Sequence, residues 1–317
     1  MDKNKIGIIY GMSPKEMVKA LLEDAKIENE IEKNALIGLK PNLVIAKKAH
    51  SGATTTPEIV EGVIEYLQEK GRNNIVVMEG SWVGEGTNRA FKVCGYDKIS
   101  KKYNVPLYDL QKDRYSSHKV KDIDMQVCDQ VMAVDYLINI PVLKGHCQTN
   151  MTCALKNLKG CITNDEKRRF HRLGLHKPIA YLNKIIKQDL IIVDGLNGDL
   201  SFEEGGTPIP MNRILLGKDP VLIDAYVCDL MGYVLDDVPY IKISDGIGVG
   251  NCDITTAVIK EINKANHNID VHVDNQKVGR LTENVEADSA CSACYGSLVH
   301  ALKRLQEQGY KIENKIY

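Results

Sequence analysis

Short apolar runs alternate with segments of helical periodicity along the first third of the chain. Helical segments carry apolar residues every three to four positions, whereas short runs rich in β-branched residues are typical of buried strands. Ser13 and Thr56, each followed by proline, are suited to begin the first two helices. The pattern predicts strands at Lys5–Tyr10, Ile37–Val44, 74–78 and 105–110, and helices from Ser13 to about Asn29, Thr56 to Gly71 and Thr87 to Tyr103.

The alternation continues to residue 231, with longer polar segments between the elements. Residues 163–177 are polar and basic without strong periodicity and are interpreted as a surface loop. Asp194–Pro210 is interpreted as a loop rich in glycine and acidic residues. The other predicted elements are strands at Tyr136–Leu143, 190–193, 213–216 and 271–278, helices at 178–187 and 219–231, and a final helix capped by Asp288 or Ser289.

This order of elements indicates the fold class. Regular strand–helix alternation implies right-handed crossover connections and hence a mostly parallel sheet. We predict an α/β fold with helices on both faces of the sheet and an extra helical segment at the C-terminus. The 317 residues suffice for one large unit, 1–317, or for two lobes covering roughly 1–160 and 161–317.

Composition and net charge limit which binding partners and which cellular compartment we expect for this protein. The formal net charge of −1 provides no overall attraction to nucleic acid or to an anionic membrane. Because no apolar run reaches the length of a membrane span or of a signal-peptide core, we expect a cytoplasmic protein. The nine cysteines show no regular disulfide spacing, so in a reducing compartment they are core residues, redox groups or metal ligands. The oligomeric state stays open.

The segment Lys144–Gly160 is the richest in candidate chemistry. It follows a predicted strand, where parallel α/β sheets place their sites, and a helix beginning near Thr149 would direct its N–H groups at an anion. The positive end of that helix would also lower the pKa of His146. Lys156 follows Thr149 by seven residues and Thr152 by four, so all three would share one helix face. The alternative is a capped helix with solvated lysines and packed threonines.

This segment resembles the family known as domain of unknown function 362. Its signature is Lys-x-His followed by spaced threonines and an Ala-Leu-Lys-Asn-Leu-Lys-Gly run. Matching residues are Lys144, His146, Thr149, Thr152 and 154–160, together with Lys40-Pro41-Asn42, Glu79-Gly80, Asp194-Gly195, and Asp219-Pro220 followed by Asp224-Ala225. The resemblance implies an iron–sulfur-associated redox protein without one shared, assigned reaction. This chain departs from the family in lacking a ferredoxin-type cysteine run and in a degenerate glycine-rich stretch at 196–206.

Cys291 and Cys294 form a C-x-x-C pair at the start of the last predicted helix. Cysteines three apart there face the same way, and a helix N-terminus favours the thiolate. Such a pair is compatible with metal or cluster ligation, with buried packing or with dithiol redox chemistry. Four-ligand sites need two further partners. We take Cys147 and Cys153 in the Lys144–Gly160 segment as the candidates, with Cys161 beside it and Cys252 in a later loop as alternatives. We predict an iron–sulfur cluster, most simply 4Fe-4S, with zinc as the alternative.

Three functional hypotheses follow. The first is an iron–sulfur redox protein, either an oxidoreductase acting on a small anionic metabolite or an electron carrier with a redox partner protein. The second is a non-redox epimerase or lyase with His146 as acid/base and Lys156 as electrostatic stabiliser. The third is a metal-binding accessory protein without turnover. The candidate catalytic residues are Lys144, His146 and Lys156, and the candidate cofactor-binding residues are Thr149, Thr152 and Asn157.

A basic patch follows the motif at residues 167–177. Its arginines could bind a substrate carboxylate or phosphate through bidentate hydrogen bonds. The commoner explanation of such a patch is a solvated surface loop. If the patch is functional, we expect it to be mobile without ligand and to become ordered when an anion binds.

Overall fold

A computed structural model describes residues 1–264, 285–286, 290, 292–310 and 315–316. The first part of the chain alternates strands with helices as the periodicity predicts. Pro14 and Pro57 occupy the first helical turn, where a missing backbone N–H costs nothing. The elements are β1 Lys5–Tyr10, α1 Pro14–Ala25, β2 Ile37–Pro41, α2 Pro57–Glu69, β3 Ile75–Glu79, α3 Thr87–Val93, α4 Tyr96–Tyr103 and β4 Leu107–Asp109.

The second part contains more short elements than the sequence pattern predicts. They are β5 Tyr115–Val120, β6 Ile123–Cys128, α5 Asp129–Met132, β7 Tyr136–Ile140, β8 Lys144–His146, β9 Asn150–Thr152, α6 Ala154–Asn157, α7 Asn164–Arg172, α8 His176–Ile185, β10 Leu190–Asp199, β11 Pro208–Gly217, α9 Pro220–Leu230, α10 Pro239–Gly246, β12 Val258–Ile262 and α11 Ser292–Glu307. Two separate hairpins, β5–β6 and β8–β9, lie outside the main sheet.

Eight strands form the main sheet in the order β12-β1-β11-β10-β7-β2-β3-β4. The pairs β12–β1, β10–β7, β7–β2, β2–β3 and β3–β4 are parallel. Only β11 runs antiparallel to its two neighbours, because a hairpin joins it to β10. The prediction of an α/β fold with a mostly parallel sheet is therefore confirmed.

Two apolar cores cover the two faces of this sheet, because side chains alternate along each strand. On β3, Val76 and Met78 belong to the core shared with α5–α10, and Ile75 and Val77 belong to the core shared with α1–α4. Helices therefore lie on both faces, as predicted. Both faces of β2 and β3 are buried, which leaves their carboxyl ends as the accessible edge.

Several boundaries differ from the prediction. The predicted helix 87–103 is two helices, because Gly95 adopts a left-handed conformation (φ 86°) between them. Asp194–Pro210 is largely a β-hairpin, since β10 continues to Asp199 and β11 begins at Pro208. The predicted surface loop 163–177 contains helices α7 and the start of α8. The strand predicted at 271–278 lies outside the described residues.

The predicted C-terminal helical segment is present as α11. Its Val299 and Leu302 bury against Phe202 of the β10–β11 turn, with Cys147 at the edge of the same cluster. The backbone carbonyl of Ala290 accepts a hydrogen bond from the Gln148 side chain at 3.2 Å. The C-terminal segment thus contacts the turn between β8 and β9. Among the described helices, none is long and apolar enough to cross a membrane.

Candidate functional site

A cleft of about 560 Å³ opens at the carboxyl ends of β2 and β3, beside the segment that follows β7. This is the edge at which parallel α/β sheets bind ligands, because the strands end there and the connecting loops diverge. One wall comes from the loops after β2 and β3, and the other comes from the Lys144–Gly160 segment and from α7. Its volume suits a small metabolite.

The Lys144–Gly160 segment forms a hairpin followed by a short helix, so the prediction of a helix from Thr149 is wrong. β8 and β9 pair antiparallel, with Lys144 opposite Thr152 and His146 opposite Asn150. A Cβ atom on Gly145 would lie 2.3 Å from the carbonyl oxygen of Leu200, so this strand packs against the β10–β11 turn only because residue 145 is glycine.

Helix α6 begins at Ala154, and a carboxylate of the protein itself already binds the backbone N–H groups at its N-terminus. The carboxylate of Asp224 accepts hydrogen bonds from the backbone N–H groups of Ala154 (2.8 Å) and Leu155 (3.2 Å). Burial raises the pKa of Asp224 to about 7. This helix end therefore does not offer its N–H groups to an external anion, in contrast to our prediction.

His146 is fully enclosed, and partners engage both of its ring nitrogens. Nδ1 accepts hydrogen bonds from the backbone N–H groups of Gln148 (3.1 Å) and Thr149 (3.2 Å). Nε2 therefore carries the ring proton and donates it to Glu203 Oε2 at 2.5 Å. Burial and then the charge of Lys156 lower the pKa of His146 to about 4, against the attraction of Glu203. The predicted direction of this shift is confirmed, but its cause is burial rather than a helix end.

Glu203 is the centre of a buried polar network that sequence analysis missed. Its Oε2 also accepts a hydrogen bond from Lys156 Nζ at 2.9 Å, and Lys156 donates to Thr152 Oγ1 at 3.2 Å. Burial opposes ionisation of Glu203, but His146 and Lys156 outweigh it and hold the pKa of the carboxyl well below its usual range. Lys156 is thereby fixed on the cleft wall beside a permanent carboxylate.

Lys144 is hydrogen-bonded to two of the segments that surround this polar network. Its Nζ donates to the backbone carbonyls of Ala53 (2.6 Å) and Glu203 (3.0 Å) and to Asn42 Oδ1 (3.2 Å). Burial lowers the pKa of Lys144 to about 8. The ammonium therefore ties the β10–β11 turn, which carries Glu203, to the loop after β2.

The three candidate cofactor-binding residues separate in space. Thr152 and Asn157 line the cleft, whereas Thr149 is buried in the β8–β9 turn, where its hydroxyl donates to the carbonyl of Met151. The Asn157 amide donates to Asn139 Oδ1 (2.7 Å), and its carbonyl oxygen accepts from Asn42 (2.9 Å). Asn157 thus connects the ends of neighbouring strands β2 and β7 at the base of the cleft.

A buried ion pair forms the floor of the cleft. Lys40 Nζ lies 2.8 Å from Glu79 Oε1, and both side chains are almost fully buried. The two glycines that flank this pair permit the loops to approach, since a Cβ on Gly80 would lie 2.4 Å from the carbonyl oxygen of Gly160. The family motifs around residues 40, 79 and 160 therefore meet at one point.

Helix α7 contributes the opposite side of the cleft. Thr163 caps it by accepting a hydrogen bond from the backbone N–H of Glu166 at 3.2 Å. Lys167 is buried and donates to the backbone carbonyls of Gly80 (3.0 Å) and Ser81 (2.8 Å), which fixes α7 to the loop after β3. Burial lowers the pKa of Lys167 to about 8. The pattern Thr163-x-x-Glu166 is a helix-start signal that could have identified α7 from the sequence.

Lys159 of the family motif and His171 of the basic patch form a further pair, a contact that the sequence does not predict. Lys159 Nζ lies 3.3 Å from His171 Nε2, and both residues line the cleft. Burial and the neighbouring charge of Lys156 lower the pKa of Lys159 to about 7. Burial and the charge of Lys159 lower the pKa of His171 to about 3. At neutral pH the imidazole is uncharged and a substantial fraction of the amine is uncharged.

Cationic side chains outnumber carboxylates on the cleft wall. Among the described residues that line the cleft, the carboxylates are Glu79 and Glu203, and each is already paired with a lysine. The basic side chains among the described lining residues are Lys144, Lys156, Lys159, Lys167, Arg168 and Arg172, of which Lys159 is only partly charged at neutral pH. This excess of positive charge makes the cleft suited to an anion.

The predicted cysteine ligands do not form a complete set among the described residues. Cys291 lies outside them, and Cys294 is exposed on α11. Cys147 packs near this helix, since its Sγ lies 3.9 Å from where a Cβ on Gly296 would be. Cys153 is fully buried, and burial followed by the charge of Asp224 raises its pKa well above the usual thiol range. No group of three or more His, Cys, Asp or Glu suited to a metal occurs in the described part of the chain, so cluster ligation stays a prediction.

Comparison with known proteins identifies relatives of this chain. The profile of the family described as Domain of unknown function (DUF362) matches residues 37–229. Thylakoid-associated protein sll1697 of Synechocystis sp. is 26% identical over 227 residues, which cover 67% of each protein. Glu203 and the cleft-lining residues named above fall within the matched range.

Two solved structures show limited similarity in fold. The lactate racemase apoprotein from Thermoanaerobacterium thermosaccharolyticum has 14% identity and a TM-score of 0.43, over 59% of this chain and 49% of that chain. A structural-genomics target from Thermotoga maritima has 13% identity and a TM-score of 0.44, over 75% of this chain and 60% of that chain. The present chain thus matches about half of the racemase chain.

Proposed function

The chain belongs to the family described as domain of unknown function 362, and we propose that it is an enzyme that binds a small organic anion and transfers a proton on it. The observation that carries this proposal is the wall of the cleft. Among the described residues, six basic side chains line it, five of them lysines or arginines other than the partly neutral Lys159, and its two carboxylates are each paired with a lysine. A bound carboxylate or phosphate would therefore meet net positive charge in a partly desolvated site.

The proton-transfer step is assigned to the Lys159–His171 pair. Efficient general acid–base groups have pKa values near the working pH, and the pKa of Lys159 is about 7. Lys156 lies on the same wall and would stabilise negative charge that develops on a carbonyl oxygen of the substrate. This assignment differs from our sequence-based hypothesis, in which His146 is the acid/base, because both ring nitrogens of His146 already have partners within the protein.

Exchange of carbon-bound protons with solvent tests this proposal. We expect the chain to accelerate deuterium incorporation into the methyl group of pyruvate or the methylene group of 2-oxobutyrate in D₂O, followed by NMR. Lys159→Arg keeps the positive charge but cannot titrate near neutral pH, so the rate should fall by about 100-fold or more. Lys98→Arg, on an exposed surface, is the matched control. Equal rates with and without the protein for both acids would contradict the proposal.

The iron–sulfur function stays a second candidate. The contact between Cys147 and the helix that carries Cys294 favours it. Metal analysis of anaerobically purified protein tests this candidate independently of the cleft. The redox partner protein and the cytoplasmic location likewise stay predictions.

A further inference from the structure

The four lysines of the cleft differ in what they contact. Lys144 donates to two backbone carbonyls and an asparagine, and Lys167 donates to two backbone carbonyls. Lys156 pairs with a carboxylate. Within residues 1–264, the polar contact of Lys159 Nζ is with the neutral imidazole of His171. In the described structure, Lys159 is thus the lysine of this group whose amine donates to neither a carboxylate nor a carbonyl oxygen.

We propose that Lys159 is a covalent nucleophile that forms an imine with the carbonyl carbon of the bound anion, which makes a 2-oxo acid the substrate class. This inference rests on the proposed function, because the cleft must first bind the anion. Cationic neighbours and partial burial are the two conditions under which a lysine amine becomes a nucleophile in proteins. Lys159 meets both, since it is half-buried and lines the same cleft as Lys156 and Lys167, whose charges act on it.

The charges around Lys159 come from each element that packs near it. Burial is the largest cause that lowers the pKa of Lys159, and the charges of Lys156 on α6 and Lys167 on α7 act in the same direction. The carboxylate of Glu203 in the β10–β11 turn opposes them, and the pKa is lowered to about 7. At pH 7 about half of such amines are neutral, whereas only roughly one in 2,500 is neutral for an ordinary lysine.

The covalent step balances without an oxidant or a reductant. The lone pair of the neutral amine forms a bond to the carbonyl carbon, and the oxygen takes one proton from the amine and one from solvent. The oxygen then leaves as water, so the nitrogen keeps one proton and carries the positive charge of an iminium. This cation withdraws electrons from the adjacent C–H bond. The proton released from this bond passes to solvent, and His171 Nε2, 3.3 Å from the Lys159 nitrogen before reaction, is placed to accept a hydrogen bond from the iminium N–H.

Borohydride trapping tests this inference on the complete chain. The protein is incubated with pyruvate at pH 7, reduced with sodium borohydride, digested and mapped by mass spectrometry. We expect a reduced pyruvyl adduct on Lys159, with little or none on the exposed Lys98. Lys159→Arg should lose the adduct, and Lys98→Arg should keep it. Because the site is mapped in the unmodified protein, the result does not depend on whether a variant folds.

The outcomes separate this inference from the proposed function. Proton exchange on pyruvate without a Lys159 adduct would contradict the imine proposal but would still agree with acid–base catalysis in the cleft. Neither exchange nor adduct would contradict both. Equal adducts on Lys159 and Lys98 would show that the amine of Lys159 has no special reactivity, and this would also overturn the imine.

Discussion

At the scale of single residues, His146 shows that a residue can be identified from sequence while its role is misassigned. The Lys-x-His pattern and its place after a strand point to the side chain, but they do not reveal its partners. Glu203 lies in a turn whose sequence departs from the family pattern, and only the folded chain brings it to 2.5 Å from His146. The imidazole links the β8–β9 turn to this carboxylate and so positions Lys156.

His146→Asn should therefore lower stability. The substitution removes the acceptor of two backbone N–H groups and the donor to a buried carboxylate. Loss of such a network typically costs about 2–4 kcal/mol. Urea unfolding should show this decrease, and His50→Asn, at an exposed position, should change the free energy of unfolding by less than about 0.5 kcal/mol. If the two variants were equally stable, His146 would not organise the site as we describe.

At the scale of elements, long periodic segments could be predicted from sequence and short irregular ones could not. Strands β1 and β3 and helices α1, α2 and α9 lie where apolar periodicity places them, since each buries a continuous face. The segment 163–172 looked like a polar loop because its buried residues include charged ones. Lys167 is buried through hydrogen bonds to carbonyls rather than through apolar contacts, and periodicity cannot detect that kind of burial.

The close approach of two loops at the cleft floor provides a test at this scale. In Gly80→Ala the new Cβ would lie 2.4 Å from the backbone carbonyl of Gly160, so the loops must separate. We expect a loss of about 1–3 kcal/mol in the free energy of unfolding. Thermal and urea unfolding measure it.

Gly246→Ala is the matched control, because no atom lies within 4 Å of the new Cβ at this position in α10. It should leave stability unchanged or raise it by up to about 1 kcal/mol, since alanine favours helix more than glycine. A Gly80→Ala variant as stable as Gly246→Ala would show that the loops do not pack as described.

At the scale of the whole molecule, the order of elements predicts the α/β class and a mostly parallel sheet, but not the strand order or the antiparallel strand β11. The sequence analysis expects a site at the carboxyl edge of the parallel sheet, and the fold opens a cleft at that edge. The composition of that cleft was not predictable, because it depends on contacts between distant segments. The net charge of −1 gives no sign of the local group of six basic side chains that comes from the motif and α7 together.

Anion binding in this cleft is the central claim, and the single tryptophan of the chain permits a direct measurement. Trp82 lines the cleft, so its fluorescence should change when a ligand enters. Titration with pyruvate should give saturable binding, whereas pyruvamide, of similar shape but neutral, should bind at least about 10-fold more weakly. Arg172→Gln, on the cleft wall, should weaken pyruvate binding by about threefold to fivefold, and the exposed Arg114→Gln should not change it. Equal affinity for pyruvate and pyruvamide, or equal effects of the two arginine variants, would contradict the assignment of this cleft as an anion site.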